Sequence, residues 1–201
     1  MNRDHFGMGT AAILLAALIY FIADTDKIMA VLVPVAFHEL GHILTLRLLG
    51  LRINGFRAEL KGFCIQYSGY TGALGHALAA AAGPMSGLLY AMAASVMGER
   101  LGSSWLELSA GVSLLLSLFN LLPALPLDGG QIVYAFSGIF LREAAAVRLC
   151  NILGLATGGI LLLSGVWLML KGCGLAMALA AVWLLAYVGF ENQLYCRREI
   201  I

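Results

Sequence analysis

Residues 28–49 read IMAVLVPVAFHELGHILTLRLL, a run of apolar helix formers long enough to cross a bilayer, with His38, Glu39 and His42 set in its second half. A helix brings positions i and i+4 onto one face ~6 Å apart at Cβ, so both imidazoles can reach one metal ion while Glu39 stands beside them. A metal-dependent hydrolytic site needs this arrangement. Two neutral imidazole nitrogens hold the cation, and a neighbouring carboxylate takes a proton from the attacking water. Ionisable groups inside a span cost roughly 2.5–3.5 kcal/mol each on insertion scales. Three of them within a turn and a half of helix argue for a bound ion over a structural histidine pair.

The rest of the chain shares the apolar character of this stretch. Of its 201 residues 61% are hydrophobic and 11% charged, with a mean hydropathy of +0.92. A soluble domain has about 45–50% apolar and about 25% charged residues. The composition therefore predicts an all-α polytopic membrane protein: a single transmembrane domain over residues 1–201, about six helices of about 20 residues each, and no separate soluble domain. The apolar runs place these spans at Phe6–Ala23, Ile28–Leu49, Ala73–Met97, Trp105–Leu122, Leu149–Leu170 and Cys173–Gln193. With only Arg3 and Asp4 ahead of the first run and no cleavage signature after it, that run is expected to be retained as a span. A net charge of +1 with no basic helix face excludes nucleic acid as a partner. Cys64, Cys150, Cys173 and Cys196 are scattered, without the spacing of a zinc ribbon or a disulfide framework.

Lysine and arginine placement orients the bundle. Arg3, Arg47, Arg52, Arg57, Lys61, Arg142, Arg148, Arg197 and Arg198 fall on one side, against Lys27, Arg100 and Lys171 on the other. The positive-inside rule then puts both termini in the cytosol. His38 and His42 lie about 15 to 21 Å along the second span from its outer end, which sets the metal in the cytosolic half of the bilayer. Between the second and third spans, residues 52–67 interleave apolar and polar side chains, with Gly55 and Gly62 as expected turns. This pattern predicts a short β-hairpin at the membrane surface, whose edge could pair with an extended peptide or which could serve as a plain connector.

A catalytic zinc takes three protein ligands and keeps one position for water. The candidate for the third is Asp128, in the run Asn120-Leu-Leu-Pro123-Ala-Leu-Pro126-Leu-Asp128-Gly129-Gly130. Two prolines break the fourth span there and two glycines allow close backbone approach. Non-helical backbone at membrane depth is tolerated where it is buried in protein or lines a wet cavity, so an acidic residue in it is a functional candidate. The alternative is a helix cap at a surface turn.

With these residues in view, the sequence closely resembles the site-2 protease family of intramembrane zinc metalloproteases (peptidase M50). The resemblance rests on H-E-L-G-H at 38–42 and N-x-x-P-x-x-P-x-D-G-G at 120–130, and on their order, spacing and membrane setting. It implies one Zn²⁺ held by His38, His42 and Asp128, with Glu39 as general base. It also implies a membrane-protein substrate cut in or near a transmembrane segment, and a membrane-embedded regulatory partner. Members often carry G-P-x-x-N in the third span, whose Asn helps position the substrate or stabilise the oxyanion. Here Gly83-Pro84-Met85-Ser86-Gly87 has glycine at that place, leaving Asn120 or Ser86 as candidates for the role. Asn120 could equally satisfy backbone groups freed by Pro123. Architecture without an inserted PDZ domain resembles the subgroup containing the sporulation-factor protease, which releases a sigma factor from its membrane-bound precursor. That protein carries a CBS domain after its last span, and this chain stops at Ile201.

Two other classes of function fit parts of the pattern. A metal transporter could use the same ligands, yet passage does not need Glu39, and no second set of polar residues is read across the outer half of the bundle. A catalytically inactive homologue that binds membrane segments is compatible with Gly87, but the complete ligand set and base argue against it.

Overall fold

The apolar stretches fold into six helices and one strand pair among the described residues. The computed structural model describes residues 25–59, 62–69, 71–173 and 175–198, with 56–59, 62–67 and 190–198 followed by their backbone alone. The expected span Phe6–Ala23 lies outside the described residues. In chain order the elements are α1 (Thr25–Leu48), β1 (Arg52–Glu59), β2 (Gly62–Ser68), α2 (Ala73–Leu101), α3 (Ser104–Asn120), α4 (Asp128–Phe140), α5 (Glu143–Met169) and α6 (Leu175–Arg198). Three of them, α1, α2 and α5, are long and apolar enough to cross a membrane, while α3 and the apolar part of α6, Leu175–Gly189, are shorter.

The fold is thus helical and membrane-like, and the expected spans from residue 28 onward coincide with helices. The helix that pattern reading passed over is α4. Its 13 residues span about 20 Å, less than a bilayer core, so no hydropathy window of span length isolates it. It starts at Asp128 itself.

The chain divides into two compact units, with the division inside the last turn of α3, after Leu118. In the first unit α1 packs along α2. Small residues face the contact, and side chains such as Leu40, Leu44, Leu78 and Leu89 point outward. That pattern suits lipid, where tight van der Waals approach draws helices together. Two ties fix the geometry further: Trp105 Nε1 donates to the Asp26 carbonyl at 2.8 Å, and Phe37 stacks on Tyr90 with centroids 4.6 Å apart.

The strands β1 and β2 pair antiparallel from Arg52 opposite Ser68 to Glu59 opposite Gly62. One expectation is corrected here. Gly55 stands in β1, beside a register shift between Ile53 and Gly55, and not at a turn. A bulge of this kind also favours glycine, which is why composition alone misassigned it. The bulged Asn54 is held by a 3.2 Å hydrogen bond from Ser68 Oγ to its Oδ1.

In the second unit α5 packs on α6 through Gly154, Gly158 and Gly165, where an added Cβ would press on Val188, Leu185 and Ala178. Ala124, Leu127 and Leu184 form its buried apolar centre.

Candidate metal centre

The sequence HELGH forms regular helix within α1, and the i, i+4 spacing brings His38 and His42 together as predicted. Their Nε2 atoms lie 3.3 Å apart, and the rings meet edge-on at 77° with centroids 4.9 Å apart. His38 is 5% exposed, and His42 and Glu39 are half-buried.

Helix α2 sets the His42 ring. Nδ1 lies 2.7 Å from the Ala79 carbonyl. A carbonyl only accepts, so Nδ1 carries the hydrogen, and in the neutral ring Nε2 keeps its lone pair. Orientation of a ligand imidazole by a backbone carbonyl is the common support of metal-binding histidines. A tetrahedral ion bound at ~2.05 Å separates two nitrogen ligands by about 3.3 Å, so the observed spacing fits zinc without rearrangement.

Two glycines permit this close crossing. A Cβ at Gly83 would run into the His42 ring, and one at Gly41 would run into the Ala82 carbonyl and Ser86 Oγ. The Gly83-Pro84 pair therefore works through Gly83, which makes room for the ring. Neither Ala79 nor Gly41 carries a sequence signal specific enough to have been singled out.

Ser86 Oγ lies 2.8 Å from both the Phe37 and Gly83 carbonyls. Its single hydroxyl hydrogen thus serves the α1–α2 contact. Asn120 is the last residue of α3 and is half-buried.

Within the second unit, residues 121–127 turn back and α4 begins. Leu127 takes the N-cap position with no side-chain cap bond, so Asp128 is the first helical residue and not the cap. Asp128 is 8% exposed and stands in the first turn of α4. The two following glycines have a steric reason. A Cβ on Gly129 would run into the Leu121 and Leu122 carbonyls, and one on Gly130 into the Ala124–Leu125 backbone. D-G-G is the local sequence that lets a helix start flush against its own preceding turn while leading with a carboxylate.

Pattern reading missed one further group. Ser109, Ser113 and Ser117 form an i+4 line of buried hydroxyls along α3. Ser109 Oγ lies 2.7 Å from the Tyr90 hydroxyl, and Ser113 donates to the Gly87 carbonyl at 2.8 Å. Serine is near neutral on hydropathy scales, so such a line does not interrupt an apolar run. The first unit is consequently less uniformly apolar away from the histidines than the sequence suggests.

Comparison with known proteins sets these features in context. Residues 83–164 match the profile of peptidase family M50. The chain is 31% identical over 197 residues to zinc metalloprotease Rip3 of Mycobacterium tuberculosis, covering 91% of this chain and 48% of that protein. It is 31% identical over 105 residues to zinc metalloprotease sll0528 of Synechocystis, covering 49% of this chain and 28% of that one. The chain therefore spans about half the length of Rip3 and less of the Synechocystis protein. Among solved structures it is similar in fold to the site-2 protease from Methanocaldococcus jannaschii, with a TM-score of 0.67 at 20% identity over 89% of this chain and 84% of that one.

Proposed function

We propose that the chain is an intramembrane zinc endopeptidase of the peptidase M50 type that hydrolyses a peptide bond in or near a transmembrane segment of a membrane-bound substrate, a reading supported by the match of residues 83–164 to that family and by the likeness to Rip3. The observation that carries this reading is the paired Nε2 atoms of His38 and His42, spaced for a tetrahedral ion, with the His42 ring oriented by the Ala79 carbonyl. His38, His42 and Asp128 are the ligands of one zinc ion. Two neutral imidazoles and a carboxylate are a donor set of catalytic zinc, and all three side chains are buried or half-buried.

When bound, zinc polarises the scissile carbonyl and lowers the pKa of water to about 7. The protein's own groups do the rest. Glu39 takes the proton from the attacking water and passes it to the leaving nitrogen. The α1–α2 crossing holds the imidazoles so that no reorganisation is needed during the reaction. A helical substrate shields its peptide bonds with its own hydrogen bonds, so the segment to be cut is locally unwound, and helix-breaking residues near the cut favour cleavage. The β1–β2 pair lies at the membrane surface and receives the extended chain by edge pairing. In the full arrangement six spans cross the bilayer, both termini are cytosolic and the metal lies in the cytosolic half. A sigma-factor or other transcription-factor precursor is the substrate class that the subgroup resemblance favours.

Glu39→Gln tests the reading. The purified, reconstituted variant is expected to keep its zinc and to lose cleavage of a membrane-embedded substrate by ~10³-fold or more, the scale of losing a general base together with its charge. Retained cleavage overturns the assignment of Glu39.

A further inference from the structure

We infer that the hydroxyl of Ser117 is a hydrogen-bond donor of the active site, delivered by α3 into the space that Gly87 leaves open on α2, and that its acceptor is the carbonyl oxygen of the peptide being cut. This rests on the proteolytic reading above.

Gly83 and Gly87 lie one turn apart on the same face of α2, ~6 Å from each other. A Cβ at the first would run into the His42 ring. A Cβ at the second would run into Ser117 Oγ, with Ser113 Oγ 3.5 Å away. The Ser117 hydroxyl therefore borders the α2 face against which the His42 ring of α1 packs, one turn beyond the ring.

Its bonding state sets it apart from the other serines. Ser109 is paired with Tyr90 and Ser113 with the Gly87 carbonyl. Ser117 is 0% exposed, and its Oγ has no hydrogen-bond partner. A serine in a helix ordinarily solves this by donating to a carbonyl of its preceding turn. Ser164 does so to Ile160 and Leu161, and Ser137 to Tyr134. Ser117 does not. A buried hydroxyl without a partner is destabilising, and apolar replacement would remove the penalty. Its presence one turn from a metal-ready imidazole points to a partner that arrives with the substrate. A peptide carbonyl lying along this face fits, because its oxygen gains negative charge as the bond is attacked and a fixed donor gains strength with that charge.

The test uses the full chain in vesicles of phosphatidylethanolamine and phosphatidylglycerol. The probe is a quenched fluorescent peptide with an apolar, glycine-interrupted segment, and zinc content and thermal unfolding are measured alongside cleavage. Ser117→Ala is expected to lower kcat by ~10²-fold, the scale of one lost oxyanion donor, with KM and zinc content unchanged and unfolding at the same or a higher temperature, because the unpartnered hydroxyl is gone. Removing that oxygen also frees position 87, where a Cβ then has Ser113 Oγ at 3.5 Å and the residue 117 Cβ at 3.7 Å, both ordinary contacts. A hydroxyl can therefore be returned from the opposite helix. Gly87→Ser combined with Ser117→Ala is expected to recover kcat by ~10-fold or more, and Gly87→Ala combined with Ser117→Ala is not. A merely structural serine would not distinguish those two pairs. Wild-type kcat in Ser117→Ala, or equal kcat in the two pairs, overturns the inference while leaving the protease reading intact. Ser117→Ala deletes one oxygen only, so its kcat decides the matter even where a pair at position 87 fails to fold. A wild-type protein that binds zinc but cleaves no faster than Glu39→Gln overturns the proteolytic reading, and this inference with it.

Discussion

The α1–α2 crossing and the turn that leads into α4 both present proposed metal-binding side chains with the help of glycine, yet glycine does different work in the two. At the crossing the histidines stand on uninterrupted helix, and Gly41 and Gly83 give way to groups of the neighbouring helix. In the turn, Gly129 and Gly130 give way to backbone only a few residues earlier in the same stretch. The first region places its ligands by helical period and refines them by tertiary contact. The second has two prolines in place of a period, and depends on its own tight packing to begin a helix at Asp128. The His42 ring that faces Gly83 can move aside for an added methyl group, whereas the main chain that faces Gly129 and Gly130, like the Ala82 carbonyl that faces Gly41, cannot.

Substitutions can break or sharpen this contrast. The largest effect is expected from His42→Ala, which removes a ligand outright: zinc measured by elemental analysis should fall to background together with cleavage, while the helix remains intact by circular dichroism. Asp128→Ala should follow, with zinc bound at least ~10-fold more weakly, since binding by two ligands is far less stable than by three. Zinc retained at wild-type affinity would remove Asp128 from the ligand set.

The glycines separate the two regions directly. Gly129→Ala should lower stability by roughly 1–3 kcal/mol, because the new Cβ meets main-chain carbonyls, as seen by thermal unfolding in micelles. Gly83→Ala should leave unfolding nearly unchanged and weaken zinc binding by ~10-fold, because the Cβ meets the movable His42 ring and disturbs its bond to Ala79. An equal loss of stability in both variants would erase the distinction. The smallest effect belongs to Gly159→Ala in α5. Nothing lies within 4 Å of the added atom, so a gain of up to about 1 kcal/mol from helix propensity is expected.

Legibility in the sequence followed regularity. HELGH could be placed on a helix face because its spacing matches 3.6 residues per turn, and the observed Nε2 pair meets that expectation. The apolar runs marked α1, α2, α3, α5 and α6, because hydropathy integrates over the length of a span. The same integration hid α4, which is too short, and the Ser109–Ser113–Ser117 line, whose members are individually unremarkable. Gly55 was misread because turns and bulges ask for the same residue.

By itself, then, the order of residues determined a helical membrane protein, a histidine pair on one face of its second apolar run, and an aspartate at a proline-marked break. Those features follow from local period and from transfer free energy, both of which are properties of a segment. Tertiary structure alone decided which nitrogen of His42 carries its hydrogen, why positions 41 and 83 must lack a side chain, and that Ser117 stands unpartnered beside Gly87. Each of these depends on atoms from helices distant along the chain coming within hydrogen-bonding or van der Waals range, and no single segment encodes such a meeting.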